Sequence, residues 1–255
     1  MKQRIDVLLV ERGFAESRHK AQALLLAGQI LVGERKVEKP GQLVDAEAEI
    51  RVLHQIPFAS RAGAKLKAAL DHFRIPVTAR VCADLGASTG GFTDCLLQNG
   101  ASKVFAFDVG KAQLAWKLRS DPRVAVRDEF NVRNLGPEDL PGVSLVTLDL
   151  SFISVTKILP ALKSSMLSGQ SAQEECREGP ADVIVLVKPQ FEVGKGEVGK
   201  GGIVRDPAKR MSALRAVEDF ALREGFLVLG SMPSPVPGAR GNQEFLLHLQ
   251  LVKGL

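Results

Sequence analysis

The sequence predicts an α/β protein in which a small N-terminal α+β unit precedes a doubly wound, mostly parallel, seven-stranded sheet. Up to residue 57, two short helical patterns are followed by short apolar runs, whereas from Ser60 onward seven apolar runs alternate with helical patterns. The 255 residues, 45% of them hydrophobic and 25% charged, suffice for one domain of ordinary size and one small domain. We therefore expect two domains, residues 1–57 and residues 58–255.

The N-terminal unit begins with two predicted helices. In residues 4–12, Ile5, Leu8 and Leu9 share one helical face, and Gly13 suits the C-cap. Ser17 is a suitable N-cap for a second helix that runs to Ala27. Short strands are predicted at residues 30–32, around Val37 and at residues 50–53, and residues 54–59 form the predicted linker.

The second unit alternates strands with helices. The predicted strands are residues 81–85, 103–107, 124–126, 145–148, 183–187, 225–230 and 245–251. Helical patterns lie between most of them, as at residues 91–98, 155–167 and 207–224. This alternation is typical of βαβ units and a parallel sheet, and the last strand fits a hairpin partner. The polar residues 168–180 predict a solvated insertion loop.

Composition excludes several classes of protein. The longest stretches without a charge are too short, or too rich in proline, to span a bilayer, and the N-terminal apolar run is too short for a signal peptide. Cys82, Cys95 and Cys176 give neither a metal-binding spacing nor a disulfide framework, which favours a cytoplasmic protein without a bound metal or a membrane partner. The net charge of +5 is compatible with an anionic partner but does not establish one.

A glycine-rich turn follows the first strand of the predicted sheet. Residues 84–93 have the sequence D-L-G-A-S-T-G-G-F-T, in which Ser88 stands where a dinucleotide-binding pattern requires glycine. Asp108 follows the next strand, 22 residues after Gly86, and can accept both hydroxyls of a ribose. S-adenosylmethionine contains that ribose and has no pyrophosphate, so the turn favours it over NAD. The alternative is a tight turn that only permits helix packing.

Four polar residues accompany predicted strand ends. They are Asp149 in L-D-L-S-F, Lys188 in V-L-V-K-P-Q-F, Glu244 in G-N-Q-E-F-L-L, and Lys65 in S-R-A-G-A-K-L on the helix before the sheet. Ligands of doubly wound folds lie beyond the carboxyl ends of the strands, where Asp149 and Lys188 converge and an antiparallel strand brings Glu244. Two lysines and two carboxylates suit methyl transfer to a ribose hydroxyl, because a lysine whose pKa is lowered by burial can accept the proton.

Each of these four residues also has a purely structural alternative. Lys65 is an exposed helix charge in that interpretation, and Glu244 an edge-strand charge. Asp149 is then a helix N-cap, and Lys188 one partner of an ion pair.

These motifs, together with R-I-D-V-L-L-V-E-R-G-F, S-R-H-K-A and G-Q-I-L-V-G near the N-terminus, resemble a known family. Over nearly its whole length the chain resembles the TlyA family of ribosomal RNA 2′-O-ribose methyltransferases, historically labelled hemolysins. The resemblance implies an S4-type RNA-binding domain in residues 1–57 and an FtsJ-type, class I (Rossmann-like) methyltransferase domain in residues 58–255. It also implies S-adenosylmethionine as cofactor, ribosomal RNA or ribosomal subunits as partner, and cytidine as the methylated nucleotide.

The resemblance assigns residues to roles. The catalytic tetrad of the family corresponds to Lys65, Asp149, Lys188 and Glu244. The cofactor-binding residues correspond to Asp84, Gly86, Ser88, Gly90, Gly91, Phe92, Asp108 and Asn131, the last at a position where related enzymes contact adenine. One departure is Ala62, which replaces a glycine in the family pattern S-R-G-G-x-K-L.

Basic residues in two regions are expected to contact RNA. Arg4, Ser17, Arg18 and Lys20 lie on or beside the first two predicted helices, where the alternative is a solvated helix surface. The glycine-rich residues 192–206 predict a lid that carries Lys195, Lys200 and Arg205, where the alternative is a passive flexible loop.

Two other functions compete with RNA methylation. A membrane-damaging hemolysin is disfavoured because the sequence lacks a signal peptide, a membrane-spanning segment and a strongly amphipathic cationic helix. A non-catalytic RNA-binding factor in ribosome assembly is disfavoured because the tetrad and the cofactor turn are intact.

Overall fold

A computed structural model describes residues 2–26, 28–53, 58–168, 179–194, 196–199 and 201–252. The chain forms two compact units, Met1–Pro57 and Phe58–Leu255, which we call the first and the second unit. Several sequence-based predictions lie outside the described residues: the helix end at Ala27, linker residues 54–57, most of the predicted insertion loop with Cys176, and the side chains of Lys195 and Lys200.

The first unit packs two helices against short antiparallel strands. Its elements are β1 (Lys2–Arg4), α1 (Ile5–Glu11), α2 (Arg18–Leu26), β2 (Ile30–Val32), β3 (Arg35–Val37), β4 (Leu43–Asp45) and β5 (Ile50–Val52). Strand β2 pairs with β3 and β5, and β1 pairs with β4. Ile5, Leu9 and Leu25 are fully buried in a core of their own. Both helices lie where predicted, but β1, which contains no apolar residue, and β4 were not predicted.

The second unit contains the remaining helices and strands. They are α3 (Ala62–Phe73), β6 (Val81–Leu85), α4 (Gly91–Gln98), β7 (Lys103–Phe107), α5 (Trp116–Arg119), β8 (Val124–Arg127), β9 (Leu145–Leu148), α6 (Leu159–Ser168), β10 (Ala181–Val187), α7 (Pro189–Glu192), α8 (Pro207–Arg223), β11 (Leu227–Pro233) and β12 (Phe245–Leu251). Short 3-10 segments occur at Val132–Asn134, Val155–Lys157 and Ala239–Gly241.

The seven strands of this unit form one sheet in the order β11-β12-β10-β9-β6-β7-β8. Strands β8, β7, β6, β9 and β10 are parallel to one another, and β12 is inserted antiparallel between β10 and β11. The predicted doubly wound sheet is therefore confirmed. The chain reverses its direction of winding at β6 and β9, so the crevice beyond the carboxyl ends of these two strands is the expected ligand site.

Apolar side chains cover both faces of this sheet. Leu148, Val185 and Leu247 point to one face, where they pack in the same cluster as Val217 of α8. On the other face, Leu186 and Leu246 pack in the same cluster as residues of α3 and α4 such as Leu66 and Leu96. Burial on both faces explains the nearly continuous apolar runs of the strands. The sheet is thus a rigid support for the residues at its strand ends.

Several boundaries and two helices differ from the prediction. The helix predicted at residues 155–167 is divided into the 3-10 segment Val155–Lys157 and α6. Strand β11 begins at Leu227 and not at residue 225, and it continues to Pro233, which an edge strand tolerates because proline lacks only the N–H donor. Strand β10 begins at Ala181, and β8 ends at Arg127. Helices α5 and α7 have four residues each, too few to show a helical period in the sequence. In the described part of the chain, no helix combines the length and apolar character needed to cross a membrane.

Candidate active site

The glycine-rich turn lies directly against the end of β9. Gly86, the first residue after β6, has φ +92°, and a Cβ atom at this position would lie 2.5 Å from the carbonyl oxygen of Asp149. A side chain at residue 86 would therefore both strain the backbone and separate the turn from Asp149. The sequence predicted that glycine here lets a ligand approach the backbone. In the structure, Gly86 lets the turn pack against Asp149.

Asp108 is held by backbone donors at the end of β7. Its two carboxylate oxygens accept the N–H of Ser88 at 2.8 Å and the N–H of Gly110 at 2.7 Å. A carboxylate has about four lone-pair sites, so each oxygen can accept one more hydrogen bond. This arrangement fixes the acid beside the turn and leaves acceptors for a pair of hydroxyls.

A cavity of about 490 Å³ opens between the turn and the end of β9. Four of the predicted cofactor-binding residues line it, namely Gly86, Ser88, Asp108 and Asn131, and so does Asp149. Its volume lies in the range of small-molecule and cofactor sites. The carboxylate of Asp108 suits the hydroxyls of a ribose, and the amide of Asn131 suits a nucleobase. The cavity lining therefore fits the nucleoside part of S-adenosylmethionine.

The other four predicted cofactor-binding residues lie behind the turn. Asp84 is fully buried and accepts the hydroxyls of Thr93 at 2.6 Å and Thr147 at 3.1 Å. Burial raises the pKa of Asp84 to about 7, although these hydrogen bonds oppose the shift. Phe92 packs in the core beneath the turn. These positions shape the turn and do not line the cavity.

Gly90 and Gly91 permit close packing at the start of α4. A Cβ atom at Gly90, whose φ is +96°, would lie 2.2 Å from a methyl carbon of Leu118. A Cβ atom at Gly91 would lie 2.2 Å from the hydroxyl oxygen of Ser60 and 3.0 Å from the Cβ atom of Ala62. Ser60 and Ala62, before and at the start of α3, therefore pack closely against the turn because Gly91 has no side chain.

Lys188 and Asp149 form the first ion pair of the predicted tetrad. The Lys188 Nζ atom lies 2.6 Å from Asp149 Oδ1, and it also donates to the hydroxyl of Ser151 at 3.0 Å. It lies 5.9 Å from the ring centroid of Phe191. Both charged side chains are largely shielded from solvent, so their interaction is stronger than that of a surface pair. Asp149 joins this pair to the cavity.

Lys65 and Glu244 form the second ion pair. The Lys65 Nζ atom lies 2.6 Å from Glu244 Oε2, and the Glu244 side chain is only 2% exposed. Gly238 makes room for it, because a Cβ atom there would lie 2.0 Å from Glu244 Oε1; nearby, a Cβ atom at Gly63 would lie 2.4 Å from Phe58. The departure at Ala62 is accommodated because its neighbour Gly91 has no side chain.

Helix α7 connects the two pairs. Gln190, two residues after Lys188, donates to Glu244 Oε1 at 3.4 Å. Glu192 accepts the Ser154 hydroxyl at 2.6 Å and the Val155 N–H at 2.9 Å, which fixes the segment after Asp149. Burial raises the pKa of Glu192, while these two donors favour its charged form.

Phe152 presents an aromatic surface beside these groups. It is 90% exposed, has φ +65°, lines the cavity, and lies 5.3 Å from the ring of Phe191 between centroids. A bulky residue with positive φ is strained, and such strain is concentrated at functional sites.

Sequence reasoning missed Ser151, Phe152, Gln190 and Glu192. The signal was present, since these residues belong to or directly follow the motifs that drew attention to Asp149 and Lys188, L-D-L-S-F and V-L-V-K-P-Q-F. Their roles depend on contacts across the sheet edge, which the motifs do not encode.

The basic residues predicted in the first unit surround a buried acid. Arg4 donates two hydrogen bonds of 3.0 Å to Asp6, and Arg18 donates one of 3.0 Å. The guanidinium of Arg4 holds the pKa of the fully buried Asp6 well below its usual range. The Ser17 hydroxyl accepts the backbone N–H of Lys20, as expected for an N-cap.

Lys20 pairs with Glu16, and the side chains of Arg4 and Arg18 remain about half exposed. Two arginines against one carboxylate leave positive charge on this surface. The structure thus brings the predicted residues of the first unit together at the ends of α1 and α2.

The predicted lid is attached to the segment that precedes β12. The N–H of Gly199 donates to the Ile203 carbonyl at 3.1 Å, which closes a short hairpin. Arg240 donates to the carbonyl of Gly201 at 2.8 Å, and Asn242 donates to that of Gly202 at 2.9 Å. Arg205 is exposed beside this hairpin, whereas Lys195 and Lys200 lie outside the described residues.

Comparison with known proteins shows which family the chain belongs to. The FtsJ-like methyltransferase family matches residues 58–251, and the S4 domain matches residues 3–50. The 16S/23S rRNA (cytidine-2′-O)-methyltransferase TlyA of Mycobacterium tuberculosis is 45% identical over 97% of this chain and 89% of its own length. Hemolysin A of Brachyspira hyodysenteriae is 40% identical over 96% of this chain and 98% of its own length.

A solved structure agrees with these matches. A candidate hemolysin from Streptococcus thermophilus superposes with a TM-score of 0.73 at 39% identity, covering 99% of this chain and 89% of that chain. The chain belongs to the TlyA family, which joins an S4 domain to an FtsJ-like methyltransferase domain.

Proposed function

We propose that the protein is an S-adenosylmethionine-dependent 2′-O-ribose methyltransferase that modifies cytidine in ribosomal RNA. One observation supports this proposal above the others. Asp149 lines the same cavity as Gly86 and Asp108, and it is paired with Lys188 at 2.6 Å. A cofactor site and a proton-transfer site therefore share a residue.

The cavity residues divide the work of holding the cofactor. Asp108 would accept the ribose hydroxyls, Asn131 would contact the adenine, and the turn at Gly86 and Ser88 would face the remainder. When bound, S-adenosylmethionine supplies a methyl group activated by its sulfonium. The protein contributes orientation, because a nucleophile held in line with that methyl group reacts far faster than one in solution.

The two ion pairs remove the proton of the ribose hydroxyl and orient its oxygen. The tetrad takes up this proton as the methyl group is transferred; we assign Lys188 as the acceptor and Asp149, 2.6 Å from its Nζ atom, as the group that orients it. Lys65, held by Glu244, provides a second donor that orients the substrate oxygen. Shielding from water strengthens both pairs, so that they keep their geometry during the reaction.

RNA is the substrate class that the remaining features support. The S4 match covers residues 3–50, where Arg4 and Arg18 expose part of their charge. Phe152 offers an exposed ring on which a nucleobase can stack beside the cavity. The relative from Mycobacterium tuberculosis is named for cytidine 2′-O-methylation of ribosomal RNA. These features together favour RNA over a small-molecule acceptor.

Two substitutions test the proposal by separating chemistry from cofactor binding. Lys188→Ala removes the proton acceptor, so we expect single-turnover methylation to fall about 100-fold or more, with cofactor affinity preserved. Asp108→Ala removes the acceptor of the ribose hydroxyls, so we expect cofactor affinity to fall first. The measurements are transfer of a tritiated methyl group to ribosomal subunits and to naked ribosomal RNA, with the modified nucleotide mapped, and calorimetry with S-adenosylmethionine.

Lys67→Ala is the matched control. Lys67 lies on α3, two residues after Lys65, and pairs with Asp71 at the surface. We expect this variant to methylate RNA at the parental rate. If Lys188→Ala also methylates RNA at the parental rate, the tetrad does not carry the reaction and the proposal is wrong.

A further inference from the structure

Gln190 occupies a position between the two ion pairs. It lies on α7, two residues after Lys188, and its side-chain Nε2 atom donates to Glu244 Oε1 at 3.4 Å. The other oxygen of Glu244 accepts from Lys65 at 2.6 Å. Each oxygen of this buried carboxylate therefore has one donor. Together the two donors determine the plane of the carboxylate as well as its position.

The second polar atom of Gln190 has no such partner. Its carbonyl oxygen, Oε1, is buried and has no hydrogen-bond partner among the described residues. Buried carbonyl groups are nearly always paired, and leaving one unpaired lowers stability. The side chain is thus held in an orientation that does not satisfy its own hydrogen-bonding capacity.

Glu244 explains this orientation. Turning the amide over would place Gln190 Oε1 against Glu244 Oε1, and an ionised carboxylate has no proton to share. The Gln190 amide must therefore direct its nitrogen toward Glu244, even though this leaves its oxygen without a hydrogen bond among the described residues. Gln190 does not line the cavity beside the glycine-rich turn, so cofactor contact does not account for its placement.

We propose that Gln190 is a positioning residue of the active site, which acts through Glu244 to fix Lys65. The inference rests on the proposed methyltransferase function. Without the second donor, the Glu244 carboxylate can rotate, and the Lys65 ammonium loses the fixed direction from which it meets the substrate oxygen. A misplacement of about 1 Å can slow an enzyme by about 100-fold. We therefore expect loss of the Gln190 donor to lower the rate of the chemical step.

Gln190→Met is the principal test, because methionine matches the length of glutamine and carries neither the donor nor the unpaired oxygen. We expect the single-turnover rate of RNA methylation to fall about 10-fold. Affinities for S-adenosylmethionine and for RNA are expected to stay at parental values. The melting temperature is expected to remain or to rise, because the unpaired oxygen is removed. A residue with only a structural role would show a lower melting temperature and no selective loss of rate.

Gln250→Met provides a matched control. Gln250 on β12 also donates its Nε2 atom to a carboxylate at 3.4 Å, in this case Asp182 Oδ1, at the opposite end of the strand from Glu244. This variant loses the same kind of hydrogen bond far from the tetrad. We expect it to methylate RNA at the parental rate.

Gln190→Glu adds a readout that depends on pH. The new carboxylate faces Glu244, whose nearest cation is Lys65. Two adjacent carboxylates share a proton more readily as the pH falls, and the shared proton restores a hydrogen bond. We therefore expect the rate of this variant, relative to the parent, to recover as pH is lowered.

The outcomes separate this inference from the proposed function. A parental rate in Gln190→Met, measured with a parent protein that methylates RNA, overturns the inference alone. A ratio of Gln190→Glu to parent that does not change with pH also overturns it. Absence of RNA methylation by the parent protein overturns the proposed function, and this inference with it.

Discussion

Asp84 lies fully buried behind the glycine-rich turn, with hydrogen bonds from two threonine hydroxyls. Burial raises its pKa from 3.8 to about 7. Between these values the folded protein binds a proton that the unfolded chain has released, so stability falls as pH rises. The contribution of the protonated acid is complete below about pH 4 and is lost as pH rises through about 7.

Asp84→Asn should remove this dependence. Asparagine keeps the size of the side chain and one carbonyl acceptor but cannot ionise. We expect the variant to gain stability relative to the parent as pH rises from about 4 to about 7, by at most about 1.4 kcal/mol per pH unit. Urea unfolding of both proteins across this range measures the difference. Parallel stability curves would show that Asp84 does not titrate in the folded protein.

At the scale of elements, the segment between β11 and β12 determines where Glu244 lies. A Cβ atom at Gly238 would lie 2.0 Å from Glu244 Oε1 and 2.3 Å from its Cδ atom. The carboxylate is buried, so it cannot move aside into solvent. We expect Gly238→Ala to displace Glu244 from Lys65 and to lower the rate of RNA methylation about 10-fold or more.

Gly136→Ala is the appropriate comparison for that prediction. Its Cβ atom would also meet a glutamate carboxylate, at 2.9 Å, but the glutamate is the exposed Glu138, which can move aside. We expect this variant to retain the parental rate. Equal rates for both glycine variants would mean that Glu244 tolerates displacement.

The sequence predicted long elements better than short contacts. The parallel strands and the helices of the second unit were predictable because burial on both faces gives long apolar runs. Asp149 and Lys188 were identified because each polar residue follows such a run directly. Gln190 and Glu192 were not identified, because each acts on a residue more than 30 positions away. The pairing of Arg4 and Arg18 with Asp6 was missed although the residues are only 2 and 12 positions apart, because the charge pattern does not show that Asp6 is buried.

At the scale of the whole molecule, the two units have separate cores. Among the residues that the structure describes, the core of the first unit is formed by residues from Ile5 to Val52, and both clusters of the second unit lie between Phe58 and Leu251. We therefore expect removal of residues 1–57 to leave cofactor binding intact. RNA affinity should fall strongly, because the S4 match and its arginines are lost.

Calorimetry with S-adenosylmethionine and RNA binding at several salt concentrations test this prediction. Fewer phosphate contacts should also make RNA binding less dependent on salt in the shortened protein. A melting curve establishes that the second unit remains folded. Unchanged RNA affinity would contradict the assignment of RNA binding to the first unit.

The antiparallel strand β12 also has a consequence for the order of folding. Lys65 and Glu244 are 179 residues apart, and β12 enters the sheet between β10 and β11 after every other strand has been synthesised. Contacts of such large sequence separation form slowly, and domains of a nascent chain fold from the N-terminal side. The residues that line the cavity, within 86–153, are synthesised well before Glu244. On a ribosome that is still making this chain, the residue that completes the tetrad is thus the last part of the site to arrive.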